Sequence, residues 1–276
     1  MRCAPGGLPH GWAGKRQRLT SLLYSARPLS GGATAWLAPL AGALGKRALV
    51  AAVIVLLFAL AAHRLRAVDG SGAVAGAILS FLIIVAAGGE AFVAVAVLFC
   101  LTALSTWIGH GRKQRLGVAE RRGGRRGTQV LANLGVATAA ALASLYGPSG
   151  LMRLAMVAAL AEAAADTVAG EIGQACGGRV YLISNFQPVR AGTDGGISLA
   201  GTVAGGVAAL VVAFTGCRLR LVPGPWLAIA AAAGLLGSLV DALAGATLER
   251  RGWLSNNGVN LLSTAAGAAI ALLMQL

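Results

Sequence analysis

Charge is what this sequence has least of. Of its 276 residues only 12% are Asp, Glu, Lys or Arg, about half the ~25% of a soluble domain. Acids are the scarcest, nine against 23 Lys and Arg. So few charges exclude an ordinary water-soluble globule. Aromatics make up 5%, and no base-stacking or groove-reading module is visible. The net charge of +14 therefore speaks for membrane orientation and anionic lipid, with no nucleic acid as partner. The four cysteines, Cys3, Cys100, Cys176 and Cys217, form no CxxC and no Cys/His cluster, which argues against a disulfide framework or a zinc site.

What is present is apolar and comes in blocks. Hydrophobic residues are 57% and mean hydropathy is +0.75. Residues 48–62, 73–87, 92–108, 130–146, 151–161, 197–216, 226–240 and 261–274 are almost free of charge. Each approaches the ~20 residues that cross a hydrocarbon core as a helix, and in lipid the backbone must satisfy itself within the segment. The expected fold is an all-α integral membrane protein, a polytopic bundle of about seven to eight transmembrane helices. Residues 48–276 form its single domain. Gly and Ala at small-xxx-small spacing, as at Gly72/Gly76 and Gly201/Gly205, read as close helix packing.

Residues 1–47 differ. They hold Gly, Pro, scattered basic residues and a weak apolar patch at 33–44. They read as a basic, poorly ordered tail, or as an upstream extension from a wrong start site. A signal peptide does not fit, because no short basic region leads straight into an apolar core.

The loop 109–128 carries Arg112, Lys113, Arg115, Arg121, Arg122, Arg125 and Arg126. Short loops this basic stay in the cytoplasm. Counting spans from it puts 63–69, 170–196 and 249–260 on the same side, and 147–150 and 217–225 on the other. The same count puts the tail outside, although its seven Lys and Arg argue for inside. Either the first block does not span, or 33–44 crosses as well. Abundant Ala, Gly and Arg suggest a GC-rich genome and a bacterial inner membrane.

The polar clusters that stand out all fall on the cytoplasmic face. Glu162, Asp166 and Glu171 hold a third of the chain's acids. Glu162 and Asp166, four apart, share a helix face. Glu171 lies roughly 140° from Asp166 at ~100° per residue, so it joins them only if Gly170 bends or ends the helix. Acids at membrane depth face a cavity or a partner. Gly192, Thr193, Asp194, Gly195 and Gly196 precede an apolar helix. They are either an anion-binding turn or a loop in which Thr193 or Asp194 caps the helix. No Gly-Lys-Ser/Thr follows, so this is not a Walker A loop. Asp241 is the lone acid of its span and suits a divalent cation, or pairs with Arg250 or Arg251. Asn256, Asn257 and Asn260 lead into the last span, where Asn257-Gly258 is also a common turn pair. Gln129 and Asn133 sit four apart after Arg125 and Arg126. Arginine forks suit phosphate. Carboxylates, glycine turns and arginines at one end are the parts of a phosphoryl-transfer site.

Six stretches carry a resemblance: Arg125 to Asn133, Ala165 to Gly173, Gly192 to Gly196, Gly237 to Asp241, Gly245 to Thr247, and Asn256 to Asn260. Together, in this order, they resemble the membrane family of transmembrane protein 19, DUF92, which includes plant chloroplast phytyl-phosphate kinases. The likeness covers roughly residues 65–276. It departs at Ala165, Gly170, Asp194 and Ala242, where the family more often has Gly, Ser, Asn and Ser. The resemblance implies a kinase that extends an isoprenoid monophosphate to the diphosphate, using a nucleoside triphosphate, ATP or CTP. Asp166, Glu171 and Asp241 are then its catalytic carboxylates and hold Mg²⁺. Residues 192–196 with Arg122, Arg125 and Arg126 hold phosphates, and Gln129, Asn133, Asn256, Asn257 and Asn260 complete the substrate site. Two other functions use the same residues. An ion-coupled transporter needs buried acids and is expected to show an internal repeat, and no convincing repeat is seen. A lipid-phosphate nucleotidyltransferase needs the same phosphate site.

Overall fold

The computed structural model describes residues 33–120 and 123–276, the first fifteen of them by backbone alone. In chain order the helices are α1 (Ala33–Arg64), α2 (Gly70–Ala87), α3 (Gly89–Trp107), the short α4 (His110–Leu116), α5 (Gly127–Ala143) and α6 (Ser149–Cys176). Three short strands follow, β1 (Val180–Leu182), β2 (Pro188–Val189) and β3 (Gly196–Ile197). Then come α7 (Leu199–Arg218), α8 (Leu227–Ala244) and α9 (Asn256–Gln275). A π-helical turn, Gly245–Glu249, extends α8. Each of the eight apolar blocks falls in its own long helix. Among the described residues α2, α3, α7, α8 with its flanking turns, and α9 are long and apolar enough to cross a membrane. Residues 48–64 of α1 and the whole of α5 are shorter apolar helices.

Helix α6 is the hub. It packs against α3, α5, α7, α8 and α9, and from Leu154 to Ala165 every residue is at most 3% exposed. A helix that is apolar on all faces must be enclosed. Here alanines keep it slim, and glycines on its neighbours let them close in. A Cβ at Gly205 of α7 would stand 2.7 Å from the Ala165 carbonyl oxygen, and one at Gly234 of α8 would stand 2.8 Å from the Ala161 Cβ. The Gly201/Gly205 spacing is thus a packing seam, as its sequence suggested.

Successive helices run up and down, so alternate loops meet at one end. There Val68 bridges Arg125, α4 packs on α6, and Gly195 lies against the end of α8. At the other end Gly88 turns α2 into α3, and Gly150 sits under the Trp226 ring. The end with 63–69, 170–196 and 249–260 is therefore the end with the basic loop.

Two segments differ from expectation. No break in α1 falls at residue 48, and the helix is described from Ala33 onward. The weak patch 33–44 continues the first span as one helix of 32 residues, roughly 48 Å long at 1.5 Å per residue. It is not a separate crossing. Residues 1–32, and Arg122 of the expected phosphate site, lie outside the described residues. The segment 170–196 is also more than a loop. α6 runs on to Cys176, and β1 pairs antiparallel with both β2 and β3, with Val180 opposite Val189 and Leu182 opposite Gly196.

Candidate functional site

The hub helix carries Glu162 and Asp166 one turn apart, toward α8 and α9. Asp241 of α8 meets Asp166 there, their carboxylates within hydrogen-bonding range of each other. The Ser263 hydroxyl of α9, fully buried, donates to Asp241 Oδ2 at 2.9 Å. Glu162 is 1% exposed and is held between two glycines. A Cβ at Gly237 would stand 2.6 Å from its Cγ, and one at Gly267 would stand 3.1 Å from its Cβ. The missing side chains of α8 and α9 are what make room for this carboxylate. Its Oε1 has no hydrogen-bond partner among the described residues.

Asp166 and Asp241 open onto a polar cavity of about 180 Å³. Across from them its wall is Gly192, Thr193, Asp194, Gly195 and Gly196. Gly192 and Gly195 have left-handed φ values of 85° and 76°, and a side chain at Gly195 would collide with Ala246. The Thr193 hydroxyl is turned back to the Arg190 carbonyl at 2.8 Å, so it closes the turn. The helix cap is Ser198, whose Oγ accepts from the Gly201 amide at 3.1 Å, and not Thr193 or Asp194. β3 separates the turn from α7, yet Ser198, Gly201 and Thr202 line the same cavity. The positive end of the α7 dipole therefore faces it.

The amides extend this polar region. Asn260 Nδ2 donates to Asn133 Oδ1 at 3.0 Å and joins α9 to α5. Asn256 bonds Glu249, which lies within electrostatic reach of Asp241 and Asp194. Asn257 is half-buried in the first turn of α9. Arg125 lies within electrostatic reach of Asp166 and donates to the Thr106 hydroxyl at 3.3 Å. Arg126 is exposed beside Asp69, away from the cavity. The Gln129 side-chain oxygen accepts from the Arg126 amide at 2.8 Å and so caps α5 and does not face the cavity. Asp69 caps α2. The Ser71 hydroxyl, then the Gly72 amide, hold its carboxyl below the usual range.

Glu171 lies apart from the acid pair. The helix passes through Gly170 without a break, so Glu171 points away from Asp166, as the ideal angle requires. Lys113 Nζ binds it at 2.6 Å and also donates to the Ser105 and Thr106 carbonyls at 3.0 and 2.7 Å. The Thr106 hydroxyl adds a bond to Glu171 at 2.9 Å. Among the described residues no three His, Cys, Asp or Glu side chains stand close enough to hold one metal ion. Asp166, Glu171 and Asp241 thus do not form a three-carboxylate site. The sequence places Glu162 in the acidic cluster with Asp166 but singles out neither Ser263 nor Glu249, and it shows Lys113 only as one charge of the basic loop although it is fully buried. The i, i+4 spacing of Glu162 and Asp166 was the one usable signal among these.

Residues 53–268 match the family Integral membrane protein DUF92. The chain is 34% identical over 216 residues to the chloroplast protein VTE6 of Arabidopsis thaliana, covering 75% of this chain. It spans only 65% of VTE6's length. It is 34% identical to an uncharacterized membrane protein of Synechocystis, over 71% of this chain and 78% of that one. A membrane protein of Methanocaldococcus jannaschii, also uncharacterized, is 29% identical over 83% of this chain and 94% of its own. No solved structure matches.

Proposed function

The chain belongs to the integral membrane family DUF92, and from that premise we propose that it is a phosphotransferase. It moves the terminal phosphoryl group of a nucleoside triphosphate to a membrane isoprenoid monophosphate. One observation carries the reading: the polar cavity joins the Asp166–Asp241 pair to the glycine turn at the end of the bundle that holds the basic loop. Glycine-rich backbone at a helix N-terminus suits phosphate oxygens.

Magnesium fits the donor set. The carboxylates of Asp166 and Asp241 are hard oxygen ligands, and Mg²⁺ typically takes only one or two carboxylates, keeping water and phosphate for its other positions. When bound, the ion neutralises charge on the transferring phosphates. The protein's own groups do the rest. Residues 192–196 cradle the donor phosphates. Arg125 holds the acceptor phosphate and offsets its charge. Asn260 and Ser263 keep Asp241 and its surroundings in place. An oxygen of the lipid phosphate bonds to the terminal phosphorus, and the bond from that phosphorus to the bridging oxygen breaks. A nucleoside diphosphate and an isoprenoid diphosphate leave. The acceptor is already an anion, so no strong general base is required. The greasy chain stays among the helices while its head reaches the interface.

The test uses purified protein in nanodiscs with Mg²⁺, labelled ATP or CTP, and a panel of prenyl monophosphates. Prenyl diphosphate is expected, and Asp166→Asn or Asp241→Asn should cost at least about a hundredfold in turnover. Full turnover in either variant removes that residue from the mechanism. Transfer of a nucleotidyl group instead points to a nucleotidyltransferase. Ion-coupled transport is the second reading, favoured by the unpartnered Oε1 of buried Glu162. It predicts ion uptake into proteoliposomes without nucleotide turnover.

A further inference from the structure

A second cavity lies between α1, α2, α3 and α5. It is narrow, about 70 Å³, and almost wholly apolar. Alanines and glycines of α1 and α2, among them Ala59, Gly76 and Ala77, form one wall, and Phe99 of α3 stands opposite. Ser80, Thr102, Arg125 and Asn133 supply its polar groups. Along α2 the lining runs from Gly72 to Ser80, eight residues or roughly 12 Å of helix. α1 packs chiefly on α2. It meets α3 through Phe58, whose ring stands edge-on to Phe92 and Phe99 at 5.3 and 5.0 Å. Phe58 and Phe99 are both half-buried and both line the groove.

We infer that this groove holds the head-proximal part of a single methyl-branched chain, with the chain's phosphate at Arg125. The occupant is an acyclic prenyl monophosphate whose chain runs past Phe58 and Phe99. Charge complementarity selects the head: Arg125 lines the apolar groove and also a wider cavity of about 510 Å³ beside it. There Glu120 stands at a loose 3.9 Å from it, a partner that a phosphate can replace, and Arg125 lies within electrostatic reach of Asp166. A phosphate there sits at the boundary between grease and water, next to the acid pair. Volume limits the tail. About 70 Å³ suits one chain and not the two of a diacyl lipid, and a wall of alanine and glycine leaves more room for methyl branches than one of larger side chains. The identity of the head group rests on the phosphoryl-transfer reading; the path of the tail does not.

Two measurements on the full chain in phosphatidylcholine nanodiscs test this. A prenyl monophosphate carrying a chain diazirine is photolysed and the labelled peptides are mapped. Label is expected on Phe58, Phe99 and their neighbours, displaced by unlabelled prenyl monophosphate and poorly by the prenyl alcohol. Label confined to outward-facing residues such as Leu131 or Leu210, or equal displacement by the alcohol, overturns the proposal. The second measurement uses Gly76→Leu. A Cβ at Gly76 meets only Val130 Cγ1, at 3.8 Å, and leucine favours helix over glycine. The side chain is therefore accommodated and fills the groove. Turnover of phytyl phosphate relative to dimethylallyl phosphate should fall about tenfold, as expected from losing burial of roughly two methylenes. An unchanged ratio overturns the groove and leaves phosphoryl transfer standing. Absence of turnover in the unsubstituted protein sinks phosphoryl transfer alone, because the photolabel reads the groove without chemistry.

Discussion

Lys113→Met removes an ammonium that is fully buried and that donates to Ser105, Thr106 and Glu171 at 3.0, 2.7 and 2.6 Å. Methionine keeps much of the volume and none of the charge. Glu171, its side chain 13% exposed, is left with the Thr106 hydroxyl as its closest partner. Breaking one side of a buried ion pair costs about 3–5 kcal/mol. At roughly 2–4 °C per kcal/mol for a chain of this size, Tm should fall by roughly 6–20 °C. The assay is scanning fluorimetry in one detergent at one scan rate, since unfolding of such proteins is often irreversible. The double variant Lys113→Met/Glu171→Leu removes both charges and should recover most of the loss, and the cycle gives the coupling directly. A Tm within about 2 °C of the unsubstituted protein refutes the argument, given the 3–5 kcal/mol expected. If Glu171→Gln instead abolishes turnover with Tm unchanged, Glu171 belongs to the reacting site and not to this staple.

Other outcomes follow from the same geometry. Gly205→Leu should destroy the monodisperse folded species, because its side chain meets the Ala165 carbonyl. Gly206→Leu, whose Cβ would meet only Leu235 side-chain atoms at 3.6 Å or more, should be tolerated; size-exclusion chromatography separates the two. Asn133→Leu and Asn260→Leu, singly and together, should give a coupling energy of about 0.6 kcal/mol, with ~1.7 as its ceiling. Asp69 titrates below the ordinary carboxylate range when folded. Its contribution is therefore complete above the unfolded value and is lost as pH falls through the folded one. Asp69→Asn should flatten the acid limb of the Tm–pH curve, and an unaltered limb counts against the cap.

The helices were legible because lipid leaves the chain so few choices: eight charge-poor blocks became eight long helices. The continuity of α1 before residue 48 was not, since Lys46 and Arg47 interrupt the hydropathy without interrupting the helix. The acid pair was half legible. Glu162 and Asp166 share a face by spacing alone, but nothing local shows that Asp241, on another helix, meets them. The open question at Gly170 was decided by α6 running straight through it, which turned Glu171 toward Lys113. That lysine carries no local mark of burial, being one cation in a run of arginines, and only its partner on α6 distinguishes it. The strands around 180–197 are too short to show a period of two, so the choice between an anion-binding turn and a capping loop at 192–196 stayed open in the sequence.

The glycine-lined berth of Glu162 has a consequence for how the protein is made. Synthesis finishes α6 before α8 and α9 exist, and an acid at the centre of an isolated helix makes membrane insertion cost about 2.5–3.5 kcal/mol. Gly237 and Gly267 arrive tens of residues later, one on each of the two missing helices. The hub must therefore wait, sheltered by the insertion machinery or by α5 and α7, until α9 packs against it. A nascent chain stalled short of α9 should remain accessible to membrane proteases, however apolar its other spans.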